Sequence, residues 1–241
     1  MSKKQSTTAV VAGATGLVGQ QLVRQLLEHP AYRQVIVLVR RDMGLSHPKL
    51  VQKLISFDRL GEEVGSEILK QADVFCTLGT TIKQAGSQEA FRKVDYTYPL
   101  ELGRAARKYG AAKMIVVTAM ASSDKSKLFY NRVKGELERE LIRLSLPRLV
   151  ILRPSFMLGN RDKKRLGEKM GIIMFQFLRP FMVGPFSQYK AVHSKSVAWV
   201  MVDASLRTGP KLEVIESNDI AQRAARHHSK SGSGRSSAVH Q

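Results

Sequence analysis

The stretch that decides the fold is Ala9-Val10-Val11-Ala12-Gly13-Ala14-Thr15-Gly16-Leu17-Val18-Gly19, near the amino terminus. A short apolar run leads into glycines spaced GxxGxxG, and apolar residues at helical spacing follow. A strand, a glycine turn and a helix in this order are typical of units that bind a dinucleotide pyrophosphate at the helix N-terminus. The turn therefore predicts cofactor contacts from Gly13, Ala14, Thr15, Gly16, Leu17, Val18 and Gly19; the alternative is a packing turn without a ligand.

Apolar runs and amphipathic stretches alternate along the rest of the chain. We expect strands at 8–12, 35–39, 55–57, 72–78, 113–118, 149–153 and 212–215, and the main helices at 17–27, 87–108, 130–144 and 196–206. Continuous apolar runs rich in β-branched residues are typical of strands buried on both faces. The pattern therefore predicts an α/β fold, a Rossmann-type doubly wound parallel sheet.

One domain accounts for the regular part of this pattern. Residues 1–216 are expected to form it, with residues 155–195 as a small substrate-side segment. Beyond Ser217 the chain is rich in Ser, Gly, His and Arg and loses its apolar periodicity, which predicts a flexible basic tail over 217–241.

The composition is globular, but the charge is strongly positive. The 241 residues carry 39 Lys and Arg against 20 Asp and Glu, a formal net charge of +19. Such a field favours weak contact with polyanions or an anionic membrane surface. No nucleic-acid-binding motif accompanies it, so specific nucleic-acid recognition is not expected. We also expect no metal site, because no cluster of metal-ligating residues stands out.

The location follows from two observations. Cys76 is the only cysteine, so the chain forms no internal disulfide. The apolar part of the amino terminus is too short for the core of a signal peptide. Both observations predict a cytoplasmic protein.

The residues at the end of the second predicted strand indicate which dinucleotide the protein binds. Arg40 and Arg41 stand where NAD-specific folds usually carry an acidic residue, and arginine there suits the 2′-phosphate of NADP(H). The alternative is a pair of solvated arginines. Asp58 is a candidate acceptor for the adenine amino group, and the residues after the fourth strand, Leu78, Gly79, Thr80 and Thr81, are expected to line the cofactor cleft.

Tyr130-Asn131-Arg132-Val133-Lys134 is the second motif. Tyrosine and lysine at positions i and i+4 share one helical face, and the ammonium of Lys134 would lower the pKa of the phenol. Such a tyrosine can act as a general acid or base toward a carbonyl or alcohol. The hydroxyl of Thr118, at the end of the preceding strand, is a candidate to hold the substrate oxygen.

Together these motifs resemble the short-chain dehydrogenase/reductase superfamily. GxxGxxG is similar to its extended and atypical branches, and four segments resemble the Tat-interacting-protein-like atypical reductases: residues 76–81, 91–96, 124–126 and 130–136. The resemblance implies a Rossmann fold, NADP binding and a catalytic Thr118-Tyr130-Lys134 group. It also implies that Tyr130 and Lys134 contact the cofactor, Lys134 at the nicotinamide ribose, and that Arg153, Pro154 and Ser155 lie beside the nicotinamide.

Thr118 departs from the serine of that family and is followed by Ala119, so Ser122 and Ser123 are alternatives. Three functions remain open: an NADP(H)-dependent oxidoreductase or epimerase-like enzyme, a cofactor-bound sensor that binds a protein partner, and a peripheral protein of anionic surfaces. We expect a small-molecule substrate and consider a homodimer. The stretch 161–186 is a candidate lid, apolar substrate pocket or membrane-facing patch.

Overall fold

A parallel sheet lies at the centre of the computed structural model, which describes residues 7–155, 157–158 and 192–233. Its strands are β1 (Thr7–Ala12), β2 (Tyr32–Val39), β3 (Leu50–Leu54), β4 (Asp73–Cys76), β5 (Lys113–Val117), β6 (Leu149–Arg153) and β9 (Leu212–Glu216). They pair in the order β3-β2-β1-β4-β5-β6-β9, all in parallel. Two short strands, β7 (Met157–Leu158) and β8 (Val192–His193), pair with each other.

Helices cover both faces of the sheet. The described helices are α1 (Leu17–Glu28), α2 (Leu60–Glu63), α3 (Ser66–Leu69), α4 (Ile82–Ala85), α5 (Gln88–Arg92), α6 (Tyr98–Lys108), α7 (Phe129–Arg143), α8 (Ser194–Leu206) and α9 (Ser217–Ser233). Alternate residues of β1 enter opposite cores: Ala9 and Val11 pack with α1 and α8, whereas Val10 and Ala12 pack with α6 and α7. This double burial confirms the predicted doubly wound, Rossmann-type single domain.

The strand order places the ligand edge. β1 has β2 on one side and β4 on the other, so the chain reverses its direction of winding between β1 and β4. In open α/β sheets, ligands bind at the carboxyl ends of the strands beside such a reversal. The glycine turn follows β1 at this point.

The third strand begins earlier than the sequence pattern predicts. We expected residues 55–57, but β3 is Leu50–Leu54 and forms the edge of the sheet. Its Val51 and Leu54 side chains are exposed, as an edge strand allows, whereas Ile55 and Phe57 are buried beneath the sheet just after it. The apolar residues Ile55 and Phe57 are buried as their pattern indicates, but they lie after the strand and not in it.

The prediction of a flexible tail from residue 217 is corrected by α9. Ser217–Ser233 is helical, and Ile220 and Ala224 are buried in the core shared with α1 and α8. Among the described side chains of this helix, these two apolar residues one turn apart pack into the core, although the composition of the helix is polar.

The helix expected over 87–108 is interrupted. Ser87 caps its amino end by accepting a hydrogen bond from the backbone N–H of Ala90. A π-helical turn, Lys93–Thr97, separates α5 from α6 and buries Asp95. Such turns are rare and frequently lie at functional sites.

Part of the substrate-side segment lies outside the described residues, including the stretch 161–186 with its three alternatives. Among the helices that are described, none combines the length and the apolar character that a bilayer crossing requires.

Candidate dinucleotide-binding and catalytic site

The glycine turn is pressed between β1 and β4. Gly13 has φ +89°, and a Cβ there would lie 2.6 Å from the carbonyl carbon of Thr77, just after β4. A Cβ on Gly19 would lie 2.1 Å from the Gly13 oxygen. The Thr77 hydroxyl donates to the carbonyls of Ala12 and Gly13 at 3.1 Å each. Only glycine fits at Gly13 and Gly19 without moving the backbone.

The amino end of α1 is free of side chains that would compete with an anion. Gly16 is its N-cap and supplies no side-chain hydrogen bond, and the first turn contains no acidic residue. The first backbone N–H groups of a helix have no partner within the helix and carry its positive dipole end. These residues fit the pyrophosphate of a dinucleotide.

Arg40 and Arg41 follow β2 at the same sheet edge, and both are exposed. Asp42 is held within its own turn, where Oδ1 accepts hydrogen bonds from Gly44 N at 2.6 Å and from Gln52 Nε2 at 3.0 Å. These bonds, that of Gly44 first, lower the pKa of Asp42. One oxygen of its carboxylate is therefore held within the turn, while the two guanidinium groups face solvent.

Asp58 lies in a 3₁₀ turn, Phe57–Arg59, behind β3. Its Oδ1 accepts a hydrogen bond from the Tyr98 hydroxyl at 2.7 Å and pairs with Lys93 Nζ at 2.7 Å. The hydrogen bond from Lys93, followed by that from Tyr98, lowers the pKa of Asp58. The structure thus ties this predicted adenine contact to α6 and the π turn.

The loop after β4 connects the cofactor edge with the π turn. Thr80 N donates to Asp95 Oδ2 at 2.8 Å, and the hydroxyl of Thr81 caps α4 by accepting from Gln84 N. A Cβ on Gly79 would lie 3.4 Å from Asp95 Oδ1 and 3.9 Å from Lys134 Nζ. The predicted cleft residues and the predicted catalytic lysine are therefore neighbours.

Tyr130 lies in the first turn of α7 against an aromatic neighbour. Its ring centroid is 5.6 Å from that of Phe91, a fully buried residue of α5. The residue as a whole is 37% exposed, whereas its surroundings are dense enough to raise the pKa of the phenol. Burial is the largest cause; Lys134 opposes it, and Asp95 adds to it.

Lys134 lies one turn further along the same face of α7. Its Nζ is 2.8 Å from Asp95 Oδ1, and the two side chains are 3% and 1% exposed. Burial lowers the pKa of Lys134, but Asp95 and then Tyr130 raise it, and the net change is upward. The ammonium therefore keeps its charge inside the protein through its carboxylate partner.

The Thr118 hydroxyl is hydrogen-bonded to a carboxylate of α7. It donates to Glu138 Oε1 at 2.6 Å, and Glu138 is buried. Glu138 lies eight residues beyond Tyr130 on α7, about 12 Å along the helix axis. The structure thus places Tyr130 and Lys134 on one helical face, whereas the Thr118 hydroxyl is hydrogen-bonded to Glu138, two turns beyond Tyr130 on the same helix.

The alternative hydroxyls belong to a loop that lies against α7. A Cβ on Gly135 would be 2.1 Å from the carbonyl carbon of Ser123, so the loop and the helix touch through backbone. Ser122 is buried and donates to the Ala119 carbonyl at 2.6 Å, while Ser123 Oγ accepts from Lys125 N at 3.3 Å. Both hydroxyls have partners within this loop.

Arg153 forms ion pairs with the carboxylates of Glu138 and Glu216. Its Nε lies 3.1 and 3.2 Å from the two oxygens of Glu138, and Nη1 lies 2.8 Å from Glu216. The hydrogen bonds that Arg153 donates to Glu138 are the main reason that the pKa of Arg153 is raised. Pro154 accepts from Met120 N, and Ser155 N donates to Ser217 Oγ. The backbone after β6 is thereby fixed to β5 and to α9.

Sequence reasoning did not assign a role to Asp95 or Glu138. A signal existed for Glu138, because Tyr130, Lys134 and Glu138 repeat at i, i+4 and i+8. Asp95 gave no comparable signal, because its pairing depends on a π turn. Within the described ranges, no group of His, Cys, Asp and Glu side chains is placed to hold a metal ion.

Two family models match the chain. The HIM1 model matches residues 59–181, just over half of the chain, and the model described as male sterility protein matches residues 11–77. The second match contains the glycine turn, and the first contains Tyr130 and Lys134.

Relatives are found among fungal proteins. "Protein FMP52, mitochondrial" of Candida albicans is 35% identical over 64% of this chain and 68% of its own length. The protein of the same name in Eremothecium gossypii is 34% identical over 69% of this chain and 74% of its own length. Their names contain no reference to Tat-interacting proteins. The mitochondrial names contradict the cytoplasmic location that we expected. The prediction was wrong because a lone cysteine and a short apolar amino terminus do not distinguish one reducing compartment from another.

Solved structures share the fold. MoeE5 in complex with UDP-glucose and NAD has a TM-score of 0.65 and 13% identity, over 91% of this chain and 81% of that one. An oxidoreductase of the short-chain dehydrogenase/reductase family from Burkholderia thailandensis has a TM-score of 0.59 and 17% identity, over 90% and 94% of the two chains. Because the HIM1 model matches just over half of its length, the chain belongs to the HIM1 family.

Proposed function

We propose that the protein is an NADP(H)-dependent oxidoreductase that acts on a carbonyl or alcohol of a small molecule. The observation that carries the proposal is that Tyr130 and the buried Lys134 lie one turn apart on one face of α7, close enough for each to shift the pKa of the other, beside the loop after β4. A phenol next to a charged ammonium is a suitable general acid or base for a carbonyl or alcohol oxygen.

The cofactor, when bound, would supply or accept the hydride. The chain's own residues then have separate tasks. The glycine turn and the amino end of α1 would hold the pyrophosphate, Arg40 and Arg41 the 2′-phosphate, and Tyr130 would exchange the proton. Lys134 would adjust the pKa of Tyr130.

The preference for NADP(H) rests on the end of β2. Two exposed arginines follow the strand, and the carboxylate next to them, Asp42, is occupied within its own turn. A ribose with a free 2′-OH would find one carboxylate, half of it held in the turn, whereas a 2′-phosphate would find two solvent-facing guanidinium groups.

Calorimetric titration with NADP(H) and NAD(H) tests this preference. We expect NADP(H) to bind more tightly, and the double variant Arg40→Asp, Arg41→Ala to weaken NADP(H) by tenfold or more, roughly the worth of one charge-assisted hydrogen bond. Arg104→Ala, on the exposed side of α6, is the matched control and should change neither affinity. Tighter binding of NAD(H) by the unaltered protein would contradict the assignment.

Turnover is tested with a panel of hydrophobic and polar carbonyls and alcohols, followed at the nicotinamide absorbance. Tyr130→Phe should reduce kcat by about 10²- to 10⁴-fold while cofactor affinity stays unchanged. Tyr109→Phe, at the far end of α6, is the control for loss of a tyrosine hydroxyl. Equal turnover of the Tyr130→Phe and unaltered proteins would exclude Tyr130 as the acid or base.

A second candidate function is a cofactor-bound sensor that binds a protein partner and turns over little. The observation that favours it is the hydrogen bond that the Thr118 hydroxyl donates to the buried carboxylate of Glu138. For a sensor, Tyr130→Phe would leave partner binding intact, whereas Gly16→Val in the glycine turn would abolish it together with cofactor binding.

We further propose a mitochondrial location, on the strength of the names of the fungal relatives. The full chain carrying a carboxyl-terminal tag should co-fractionate with mitochondria. Recovery only in the cytosolic fraction would contradict this proposal.

A further inference from the structure

A buried ion pair lies directly beneath the candidate cleft. Asp95, in the π turn, has Oδ1 2.8 Å from Lys134 Nζ and accepts a hydrogen bond from Thr80 N at Oδ2, also at 2.8 Å. The ammonium of Lys134 is the group that compensates the charge at Oδ1. Each half of the carboxylate is thus bound to a different part of the site.

The pair is placed to act on the cleft and not only on the fold. Gly79, in the loop after β4, passes over it so closely that a Cβ would touch both charged groups. The pair therefore lies under the backbone that we expect to line the cofactor cleft.

Four titratable groups from three elements share this electrostatic environment. The π turn contributes Asp95, α7 contributes Tyr130 and Lys134, and β4 contributes Cys76, whose pKa is raised to about 11 by burial. The thiol is therefore neutral near pH 7. The charges that Tyr130 experiences there are those of Lys134 and Asp95, which have opposite signs.

We propose that Asp95 is a positioning residue, which holds Lys134 beneath the cleft and offsets its charge so that Tyr130 keeps its proton until a substrate oxygen accepts it. The proposal rests on the proposed function, in which Tyr130 is the acid or base. A lysine without such a partner would favour the phenolate at Tyr130. With Asp95 beside it, the pair is close to neutral as seen from the phenol.

The proton transfer that follows is balanced within the site. The proton leaves Tyr130 Oη for the substrate oxygen, and a phenolate remains beside the ammonium of Lys134. The phenolate then recovers a proton from water. The arrangement favours a site that begins its cycle as a proton donor.

Carbon NMR of protein labelled at tyrosine Cζ measures the ionisation of each phenol without cofactor or substrate. The resonance of Tyr130 is assigned by its loss in Tyr130→Phe. We expect Asp95→Asn to lower the titration midpoint of Tyr130 by about one pH unit or more. Asp73→Asn, which alters the acid–lysine pair at the opposite edge of the sheet, should leave the midpoint unchanged.

A second comparison keeps the test valid if Asp95→Asn does not fold with Lys134 left unpaired. Lys134→Met and the double variant Asp95→Asn, Lys134→Met differ only in the carboxylate charge, and the double variant leaves no buried charge unpaired. We expect the midpoint of Tyr130 to be lower in the double variant. Equal midpoints in these two proteins, or a midpoint in Asp95→Asn at or above that of the unaltered protein, would overturn the proposal.

The NMR titration of Tyr130 and the cofactor titration can fail separately. If neither NADP(H) nor NAD(H) binds, the proposed function fails while the effect of Asp95 on Tyr130 can still be measured. If the cofactor binds and Asp95→Asn leaves the midpoint unchanged, the oxidoreductase proposal stands and the role of Asp95 is lost.

Discussion

The sheet carries a buried aspartate–lysine pair at each of its two ends. Asp95 and Lys134 lie at the carboxyl ends of the strands, beside the glycine turn and Tyr130. Asp73 and Lys113 lie at the amino ends of β4 and β5, 3.2 Å apart. The chemistry of the two pairs is the same, but their neighbours differ.

The pair at the amino ends is surrounded by structural partners. The Tyr32 hydroxyl lies 2.9 Å from Asp73 Oδ2 and 2.7 Å from the hydroxyl of Ser205 in α8. Lys113 Nζ also donates to the Ser205 carbonyl at 2.7 Å and is 23% exposed. Asp73 thus joins β2, β4, β5 and α8.

The pair at the carboxyl ends has fewer structural partners and a less solvated lysine. Lys134 is 3% exposed, and the backbone above it is a glycine loop and not a packed helix. The comparison shows how the neighbours of such a pair differ. The amino-end pair is hydrogen-bonded to other strands and a helix and so stabilises the fold, whereas the carboxyl-end pair lies under a glycine loop, where it can affect a bound ligand.

The largest expected effect is the loss of one lysine from each pair. Lys134→Met leaves Asp95 buried with no cationic partner and should lower the free energy of unfolding by about 3–5 kcal/mol. Lys113→Met should lower it by less, because Asp73 retains the Tyr32 hydroxyl and Lys113 is partly solvated. Urea titration of both variants measures the difference, and equal losses would show that the two pairs do not differ in burial energetics.

A smaller effect is expected from Tyr32→Phe. The variant removes the hydroxyl that Asp73 and Ser205 share and should cost about 1–3 kcal/mol, because buried polar atoms lose a partner. Cofactor affinity should stay unchanged, since Tyr32 lies at the end of the sheet away from the glycine turn. Thermal unfolding and calorimetry measure the two quantities, and a loss of cofactor affinity would show that the ends of the sheet are coupled.

The smallest effect is a pH dependence at the amino-end pair. Burial raises the pKa of Asp73 above its ordinary value of 3.8, more than Lys113 and Tyr32 lower it. The folded protein therefore holds this proton more tightly than the unfolded chain, and the stability from this group falls as the pH rises from 3.8 through the raised pKa. The slope is at most about 1.4 kcal/mol per pH unit.

The variant Asp73→Asn isolates that slope. The stability of the unaltered protein relative to Asp73→Asn should decline with rising pH over that window and then level off. Urea midpoints at a series of pH values follow it. A difference that grows with pH would mean that Lys113 outweighs burial at Asp73.

Much of the fold could be predicted from local patterns. The faces of α1 and α7, the glycine turn and six of the seven sheet strands follow from apolar periodicity and glycine spacing, which depend on near neighbours in the chain. The edge strand was misplaced, since an edge exposes apolar residues that periodicity assigns to the interior. The helix at Ser217–Ser233 was missed, because few of its described residues are apolar and buried, chiefly Ile220 and Ala224.

The candidate site was predictable in its residue types but not in its pairings. Tyr130 and Lys134 could be identified by their spacing, because i and i+4 on a helix always share a face. The partners Asp95 and Glu138 come from contacts between elements far apart in sequence, and Asp95 reaches Lys134 through a π turn that helical periodicity does not anticipate.

The sequence by itself determined six of the seven sheet strands, the position of the glycine turn and the face of α7 that carries Tyr130 and Lys134. Each of these depends on the regular period of a helix or strand, or on a turn that only glycine can form. The tertiary structure decided which charged groups meet. It placed Asp95 against Lys134 and turned the Thr118 hydroxyl toward Glu138, because buried charges pair with whichever opposite charge or hydrogen-bond donor the packing of distant elements brings within reach.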